Sequence, residues 1–259
     1  MARYKTYVMA QSLEEAYTLN QKKSSVIVAG NMWLRMCGLN RQTAIDLSAL
    51  GLSGIEETND AFVIGAMTTL RELETDAALH AAFGGAFADA LVPIVGTQFR
   101  HGATVGGSIY SRFGFSDVSA LLLALDAEVI LHRRGAVPLR AFQQEAWDRD
   151  IITHIRVRKG QRAAAKSVRL SGTDFPVLVC AAAQEGGALR LVVGARPARA
   201  VVAADGVSPW ADEAEFARIA GSVPLGSNMR ASEAYRRKIA PVLLRRAAAA
   251  CLEGTRDDH

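Results

Sequence analysis

The spacing of hydrophobic and polar positions changes along the chain and predicts three successive segments. The first reads as strand, helix, strand, helix and strand. Ser12 and Glu15 are spaced as a capping box, which marks the start of a helix. Gly30 ends a compact β-branched run that is typical of a buried strand. The predicted bounds are a helix at 12–19, a strand at 25–29, a helix at 32–39 and a strand at 43–47.

The second segment begins with a predicted β-hairpin and continues with short helices. Asn59 and Asp60, a pair that tolerates tight turns, separate the two hairpin strands. Thr69 and Glu72 form a second capping box. The predicted bounds are strands at 55–58 and 61–65, helices through 95, a glycine-rich loop at 102–108, a helix at 117–125 and a strand at 128–132.

The third segment alternates as an antiparallel sheet does and ends in helices. Pro241 lies inside the last helix and is expected to kink it or to split it in two. The predicted bounds are strands at 151–158, 167–170, 177–183 and 189–193, then helices at 212–220 and 232–251. We therefore predict an N-terminal domain at 1–145, with units of about 1–52 and 53–145, and a C-terminal domain at 146–259.

Composition and charge fit a globular protein of the cytoplasm. Of 259 residues, 50% are hydrophobic and 22% charged, and the net charge is only +4. Basic clusters occur at 236–238 and 245–246, and we interpret them as the solvated side of a helix, not as a nucleic-acid surface. No apolar run is long enough for a bilayer. Three scattered cysteines without a CxxC motif predict neither a disulfide nor a metal site.

Two glycine-containing loops carry the candidate chemistry. Gly30 and Asn31 follow a predicted strand and precede a predicted helix, where free backbone N–H groups can bind phosphate. The residues at 104–111 combine paired glycines with hydroxyl side chains, and Asp117 follows them. A glycine turn before an N-capped helix explains the same residues without a ligand. Neither loop matches a Rossmann or P-loop motif.

At these residues the chain resembles the FAD-binding subunits of molybdenum hydroxylases, such as xanthine dehydrogenase and carbon monoxide dehydrogenase. The resemblance runs from about Tyr4 to Leu252 and is strongest over 98–108. The family form is an Ala-Thr/Ser-x-Gly-Gly-Asn loop with an Asp nine residues after the Asn, and here Ser108 and Asp117 keep that spacing. Residues 64–70 match another recurrent family string.

The resemblance implies a fold class and a set of FAD contacts. The fold would be α/β plus α+β: two small N-terminal α/β units forming a PCMH/VAO-like FAD-binding domain, then a C-terminal antiparallel sheet with helices. Both loops would hold the pyrophosphate. Asp117 and nearby serines would contact the ribityl, ribose or adenine groups, and Arg169 would lie near the flavin ring. The implied cofactor-binding residues are Val28, Ala29, Gly30, Asn31, Met32, Trp33, Thr104, Gly106, Gly107, Ser108, Ser111, Ser116, Asp117 and Arg169.

Three departures from the family pattern leave alternatives open. Met32 and Trp33 stand where the family has Thr-Asp or Thr-Glu, and Ser108 replaces the usual Asn. Trp33, like Tyr110 and Phe113, is interpreted either as a core residue or as a contact of the cofactor.

By resemblance, non-covalent FAD passes electrons between a partner's [2Fe–2S] clusters and an acceptor such as NAD. A molybdopterin subunit oxidises the substrate, and no catalytic acid or base is expected on this chain. The alternatives are a stand-alone FAD oxidoreductase and an assembly subunit without FAD. No nucleic-acid or membrane partner is expected.

Overall fold

The computed structural model describes residues 2–253 of the chain. Residues 254–259, which the sequence analysis assigns to the C-terminal domain, and Met1 lie outside the described residues. The described residues form three sheets with helices packed on them. The predicted fold class, α/β followed by an antiparallel sheet with helices, is confirmed.

The first unit is a parallel α/β layer. Its strands are β1 (Arg3–Met9), β2 (Ser25–Val28) and β3 (Asn40–Asp46), in the order β1-β3-β2, and α1 (Leu13–Asn20) connects β1 to β2. Ser12 caps α1 by accepting a hydrogen bond from the Glu15 amide at 3.1 Å. The small core of this unit contains Ala16 and Ile45.

The predicted helix at 32–39 is wrong. Only a three-residue 3₁₀ helix, Leu34–Met36, forms there, and a second one follows β3 at Ser48–Leu50. Asn31 and Gly38 both have left-handed backbone angles, with φ of 55° and 62°. Left-handed residues interrupt a right-handed helix, so the stretch between them is too short for a stable α-helix.

The second unit combines a five-stranded antiparallel sheet with short helices. Its strand order is β4-β5-β8-β6-β7, and the predicted hairpin is confirmed as β4 paired with β5. The strands are β4 (Ile55–Glu57), β5 (Ala61–Gly65), β6 (Glu128–Leu131), β7 (Gly135–Pro138) and β8 (Ile152–Arg158). The helices are α2 (Leu70–Thr75), α3 (Ala77–Phe83), α4 (Ala86–Leu91), α5 (Thr97–Gly102), α6 (Val105–Tyr110), α7 (Asp117–Ala124) and α8 (Leu139–Gln144).

Strand β8 does not continue the C-terminal sheet, contrary to the prediction. It pairs with β5 and β6, so the chain returns to the second unit before entering the last sheet. Alternation along a single strand shows only that the strand is half-buried and does not identify its neighbours, which explains the error. The domain boundary at 145–146 stays a prediction.

The C-terminal segment is a four-stranded antiparallel sheet, in the order β12-β11-β10-β9, with helices on both faces. Strand β10 is buried on both sides, since Val179 packs toward α7 while Cys180 packs toward the last helix. This explains its continuous apolar sequence. The elements are β9 (Arg162–Arg169), β10 (Pro176–Glu185), β11 (Ala188–Gly194), β12 (Val201–Val207), α9 (Glu213–Ser222) and α10 (Glu233–Glu253).

Helix α10 continues through Pro241, so the predicted split does not occur. Leu243 and Leu244, in the turn that follows, are buried against the sheet. Among residues 2–253, no helix is both long enough and apolar enough to cross a bilayer.

Arg236 corrects the interpretation of the basic clusters as solvated. Arg237, Lys238, Arg245 and Arg246 are exposed, but Arg236 is 0% exposed. Its Nε donates to the Val177 carbonyl oxygen at 2.8 Å, and its Nη1 donates to the carbonyls of Gly226 and Ala231 at 2.7 Å each. The guanidinium therefore ties the start of α10 to β10 and to the preceding loop.

We expect Arg236→Met to lower the free energy of unfolding by about 3 kcal/mol, because several buried carbonyls lose a charged donor. Arg237→Met is the matched control, since its exposed ion pair with Glu233 contributes less than about 1 kcal/mol. Urea unfolding followed by circular dichroism measures both variants. Equal loss of stability in the two would contradict a structural role for Arg236.

Candidate functional site

The two glycine loops touch at their backbones. A Cβ atom on Gly30 would lie 1.4 Å from the Gly102 carbonyl oxygen, and one on Gly102 would lie 2.5 Å from the Met32 sulfur. Only glycine permits this approach. The contact brings the corner after β2 against the end of α5, so the two predicted loops form one site.

The first loop presents unpaired amides. Asn31 has a left-handed φ of 55°, a backbone conformation that occurs in anion-binding turns. Within the described residues, the amides of Asn31, Met32 and Trp33 donate to no protein acceptor. Val28 is 5% exposed at the end of β2 and, unlike Ala29, does not line the site.

The second loop is the start of helix α6. Thr104 Oγ1 accepts from the Gly107 amide at 3.2 Å and thereby caps the helix. The amides of Val105, Gly106 and Ser108 donate to the carbonyl oxygens of Thr68, Ala66 and Thr104. The backbone donors of this loop are therefore already hydrogen-bonded within the protein. These bonds agree with the interpretation of the loop as a glycine turn before an N-capped helix.

Gly106 and Gly107 differ in their surroundings. A Cβ on Gly106 would lie 2.7 Å from Ala66, so this glycine serves packing. A Cβ on Gly107 would meet only Thr104 Oγ1, at 3.1 Å, and Gly107 is exposed on its other side. Gly107 is thus the residue of this pair that allows a ligand to approach the backbone.

The predicted hydroxyl contacts are engaged locally. Ser108 Oγ donates to the Thr104 carbonyl at 2.8 Å, and Ser111 Oγ donates to the Ser108 carbonyl at 3.0 Å. Ser116 caps α7 by accepting from the Ser119 amide at 3.1 Å. Each hydroxyl oxygen keeps acceptor capacity, and Ser111 and Ser116 line the same cavity as the loops.

Asp117 is buried against Arg169. The exposed fraction of each side chain is below 10%, and Arg169 Nη2 lies 2.7 Å from Asp117 Oδ1. Burial raises the pKa of Asp117 to about 6, and Arg169 opposes that rise. Arg169 Nη1 also donates to the Asp174 carbonyl at 2.7 Å, while its Nε has no acceptor within residues 2–253.

Four aromatic residues form a continuous surface, which we call the aromatic wall: Trp33, Phe113, Phe115 and Phe175. The Trp33 ring lies 5.3 Å from the ring of Phe113 and 5.6 Å from that of Phe175, centroid to centroid. Phe115 bridges Phe113 and Phe175 at 5.0 and 4.3 Å. Trp33 therefore packs into an aromatic cluster and also lines the cavity, while its contact with a cofactor stays a prediction.

All these features surround one cavity of about 660 Å³, where the first unit, the second unit and the end of β9 meet. This volume is typical of a cofactor site. Every predicted site residue except Val28 lines it. Phe115 and Phe175 also line the cavity but were not predicted from the sequence, although Phe115 directly precedes the predicted site residue Ser116. Trp147, which is 57% exposed at the rim, was not predicted either.

Comparison with known proteins identifies the family. Residues 2–158 match the model of the FAD binding domain in molybdopterin dehydrogenase. An uncharacterised protein of Escherichia coli K12, YgfM, is 28% identical over 145 residues, which is 56% of this chain. That match covers 54% of YgfM, so the chain spans about half the length of this relative.

Solved structures share the whole fold. The carbon monoxide dehydrogenase of Hydrogenophaga pseudoflava superposes with a TM-score of 0.86 at 23% identity, over 97% of this chain and 98% of that one. The quinoline 2-oxidoreductase of Pseudomonas putida 86 superposes with a TM-score of 0.84 at 19% identity, over 97% of this chain and 98% of that chain. At these identities the likeness shows the fold.

The raised pKa of Asp117 predicts a pH-dependent stability. An upward shift from 3.8 to about 6 stabilises the folded state below pH 4, and that stability is lost as the pH rises through 6. At 1.36 kcal/mol per unit, the loss relative to Asp117→Asn is about 3 kcal/mol. Urea unfolding of both proteins between pH 4 and 8 measures it. A constant difference between them would contradict the shift.

Proposed function

Because the chain belongs to the family of FAD-binding domains in molybdopterin dehydrogenases, we propose that it is the FAD-carrying, electron-transferring subunit of a molybdenum hydroxylase. The observation that carries this proposal is the cavity itself. Its lining includes Asn31, Met32 and Trp33, whose amides donate to no acceptor within residues 2–253, and Gly107, the exposed glycine of the other loop.

The residues present fit FAD. The amides of Asn31, Met32 and Trp33, which donate to no acceptor within residues 2–253, suit the pyrophosphate. These backbone donors serve where the family pattern has a Thr and an acidic side chain. Gly107 leaves room for a phosphate to approach. The remaining lining is mostly apolar, which suits the two ring systems of the cofactor.

The roles follow from position. Ala29 to Trp33 hold the pyrophosphate, Gly107 leaves room for it beside the second loop, and Ser108, Ser111 and Ser116 offer acceptors to cofactor hydroxyls. When bound, FAD supplies the electron chemistry between a partner's [2Fe–2S] clusters and an acceptor such as NAD. The chain contributes position and electrostatics, in the cytoplasm, beside a [2Fe–2S] small subunit and a molybdopterin large subunit.

One structural feature favours an assembly subunit without FAD as the second candidate. The amides of the second loop are already hydrogen-bonded within the protein, so only the first loop offers free backbone donors. Flavin content of the purified chain separates the two candidates, because an assembly subunit is colourless.

We expect one non-covalent FAD per chain, released by acid precipitation, and we expect Gly107→Val to lose it. The valine side chain would project into the cavity and block the backbone, while its only close neighbour is Thr104 Oγ1. Flavin absorbance and circular dichroism are the measurements. Gly221→Val, at an exposed helix position with open space around it, is the control and should keep FAD. Full FAD retention by Gly107→Val would remove this loop from the phosphate site.

We expect the purified chain to oxidise no purine or aromatic heterocycle alone, while reducing an artificial dye slowly with NADH. Substrate oxidation should appear only after molybdenum and iron–sulfur subunits are added, through an interface of standard size or larger. Steady-state assays combined with metal analysis test this. Robust oxidation by the single chain, free of molybdenum and iron, would support a stand-alone flavoenzyme instead.

A further inference from the structure

A second cavity, of about 340 Å³, adjoins the one described above. Phe115 and Phe175 line both cavities and form their common border. The rest of the second lining comes from the α6–α7 connection, the β11–β12 connection and the loop before α10. None of the residues at 29–33 or 104–108 lines it, so it is distinct from the predicted FAD site. Its volume lies within the range of small-molecule sites.

The charged side chains of this lining are all cationic. They are Arg199 and Arg230, and no carboxylate of the described residues lines the cavity. Arg230 is paired with Asp174, which lies on the side of the first cavity, at 2.8 Å. Arg199 has no such partner within residues 2–253, and its Nη1 donates to the carbonyl oxygen of Gln143. Arg199 therefore brings an uncompensated positive charge to the second cavity.

Two further arginines add to the positive charge near Arg199. Within residues 2–253, the acceptors of Arg112, Arg196 and Arg199 are backbone carbonyl oxygens, not carboxylates. Burial lowers the pKa of Arg112, and the charge of Arg199 lowers that pKa further. An anion beside Arg199 would offset this repulsion between like charges.

The β11–β12 connection adds backbone donors to the cavity. The amides of Ala198 and Arg199 donate to no acceptor within residues 2–253. A Cβ atom on Gly114 would lie 2.4 Å from the Ala198 carbonyl oxygen, so a glycine is needed for the connection to pack against the α6–α7 segment. Guanidinium groups and free amides are the donors that bind phosphate oxygens in proteins.

The border shared with the first cavity is apolar. The rings of Phe115 and Phe175 lie 4.3 Å apart, centroid to centroid, and are tilted by 41°. The Cζ atom of Arg230 lies 5.0 Å from the centroid of the Phe175 ring, which places a cation directly beside this apolar border. The second cavity thus combines apolar surface with cationic donors.

We propose that the second cavity binds a phosphomonoester with an aromatic body, of about the size of a mononucleotide. Its phosphate accepts from the Arg199 guanidinium and from the amides of Ala198 and Arg199, and its ring lies beside the two phenylalanines. A phosphomonoester carries about −1.5 to −2 charges at neutral pH, so it offsets the unpaired arginines better than a carboxylate does. This site is separate from the proposed FAD site and does not rest on it.

Calorimetric titration with AMP tests this site, with adenosine, inorganic phosphate and benzoate as ligands that each lack one part. Excess FAD is present, because it would occupy the first cavity. The variants are Arg199→Met, Ala198→Glu and Ala198→Gln. Ala198 is exposed and lines the second cavity, so the glutamate adds a negative charge there and the glutamine is its neutral match. Gly107→Val and Arg149→Met are controls, since both residues line only the first cavity.

We expect wild type to bind one AMP per chain, at least about tenfold more tightly than adenosine, inorganic phosphate or benzoate. Arg199→Met should weaken AMP binding about tenfold or more, because a charge-assisted hydrogen bond is lost. Ala198→Glu should weaken it by a similar factor through repulsion of the phosphate. Ala198→Gln, Gly107→Val and Arg149→Met should each change the affinity less than about twofold.

Wild type that binds no AMP at millimolar concentration overturns the inference, whatever its FAD content. An AMP affinity unchanged in both Arg199→Met and Ala198→Glu also overturns it. So does loss of AMP by a folded Gly107→Val, which would place AMP in the first cavity. Equal affinity for benzoate or inorganic phosphate overturns the ligand class. If circular dichroism shows that Arg199→Met does not fold, the difference between Ala198→Glu and Ala198→Gln decides.

Discussion

The backbone contact between Gly30 and Gly102 fixes the geometry on which the cavity depends. A side chain at position 30 would overlap the carbonyl of Gly102, so the two loops meet without any intervening atoms. Ile27, in the strand before the first loop, packs on the small core of the first unit, whereas Val105 and Ile109, at the second loop, belong to the large core of the second unit. The contact between the two glycines therefore joins elements that pack on separate cores.

Two buried arginines show how a cation enclosed by protein differs from one that faces a cavity. Arg236 is surrounded by carbonyl oxygens and the Asn228 side chain, and these occupy all three of its nitrogens. Arg169 is nearly as buried and lines a cavity, yet two of its nitrogens, Nε and Nη2, have no hydrogen-bond acceptor within residues 2–253. Protein atoms therefore satisfy the first guanidinium fully and the second only in part.

The departures from the family pattern in the first loop have a structural consequence. Met32 covers Gly102, and Trp33 joins three phenylalanines that come from the α6–α7 connection and from the residue before β10. The loop thus exchanges polar side chains for apolar contacts while its backbone amides stay unpaired. Anion binding by main-chain donors tolerates such an exchange, because the donors do not depend on side-chain identity.

Local patterns in the sequence determined the helix starts at Ser12 and Thr69, the hairpin at 55–65 and the buried strand β10, because capping, turn and burial signals act over a few residues. The family resemblance implied that both glycine loops hold the same ligand, and both loops line the one cavity. Sheet membership of β8, the short 3₁₀ helix after Asn31, the burial of Arg236 and the pairing of Asp117 with Arg169 were decided only by the tertiary structure. Each of these four features depends on atoms that are distant in sequence. Those atoms determine whether a charged side chain is solvated and which strand edge is free for pairing.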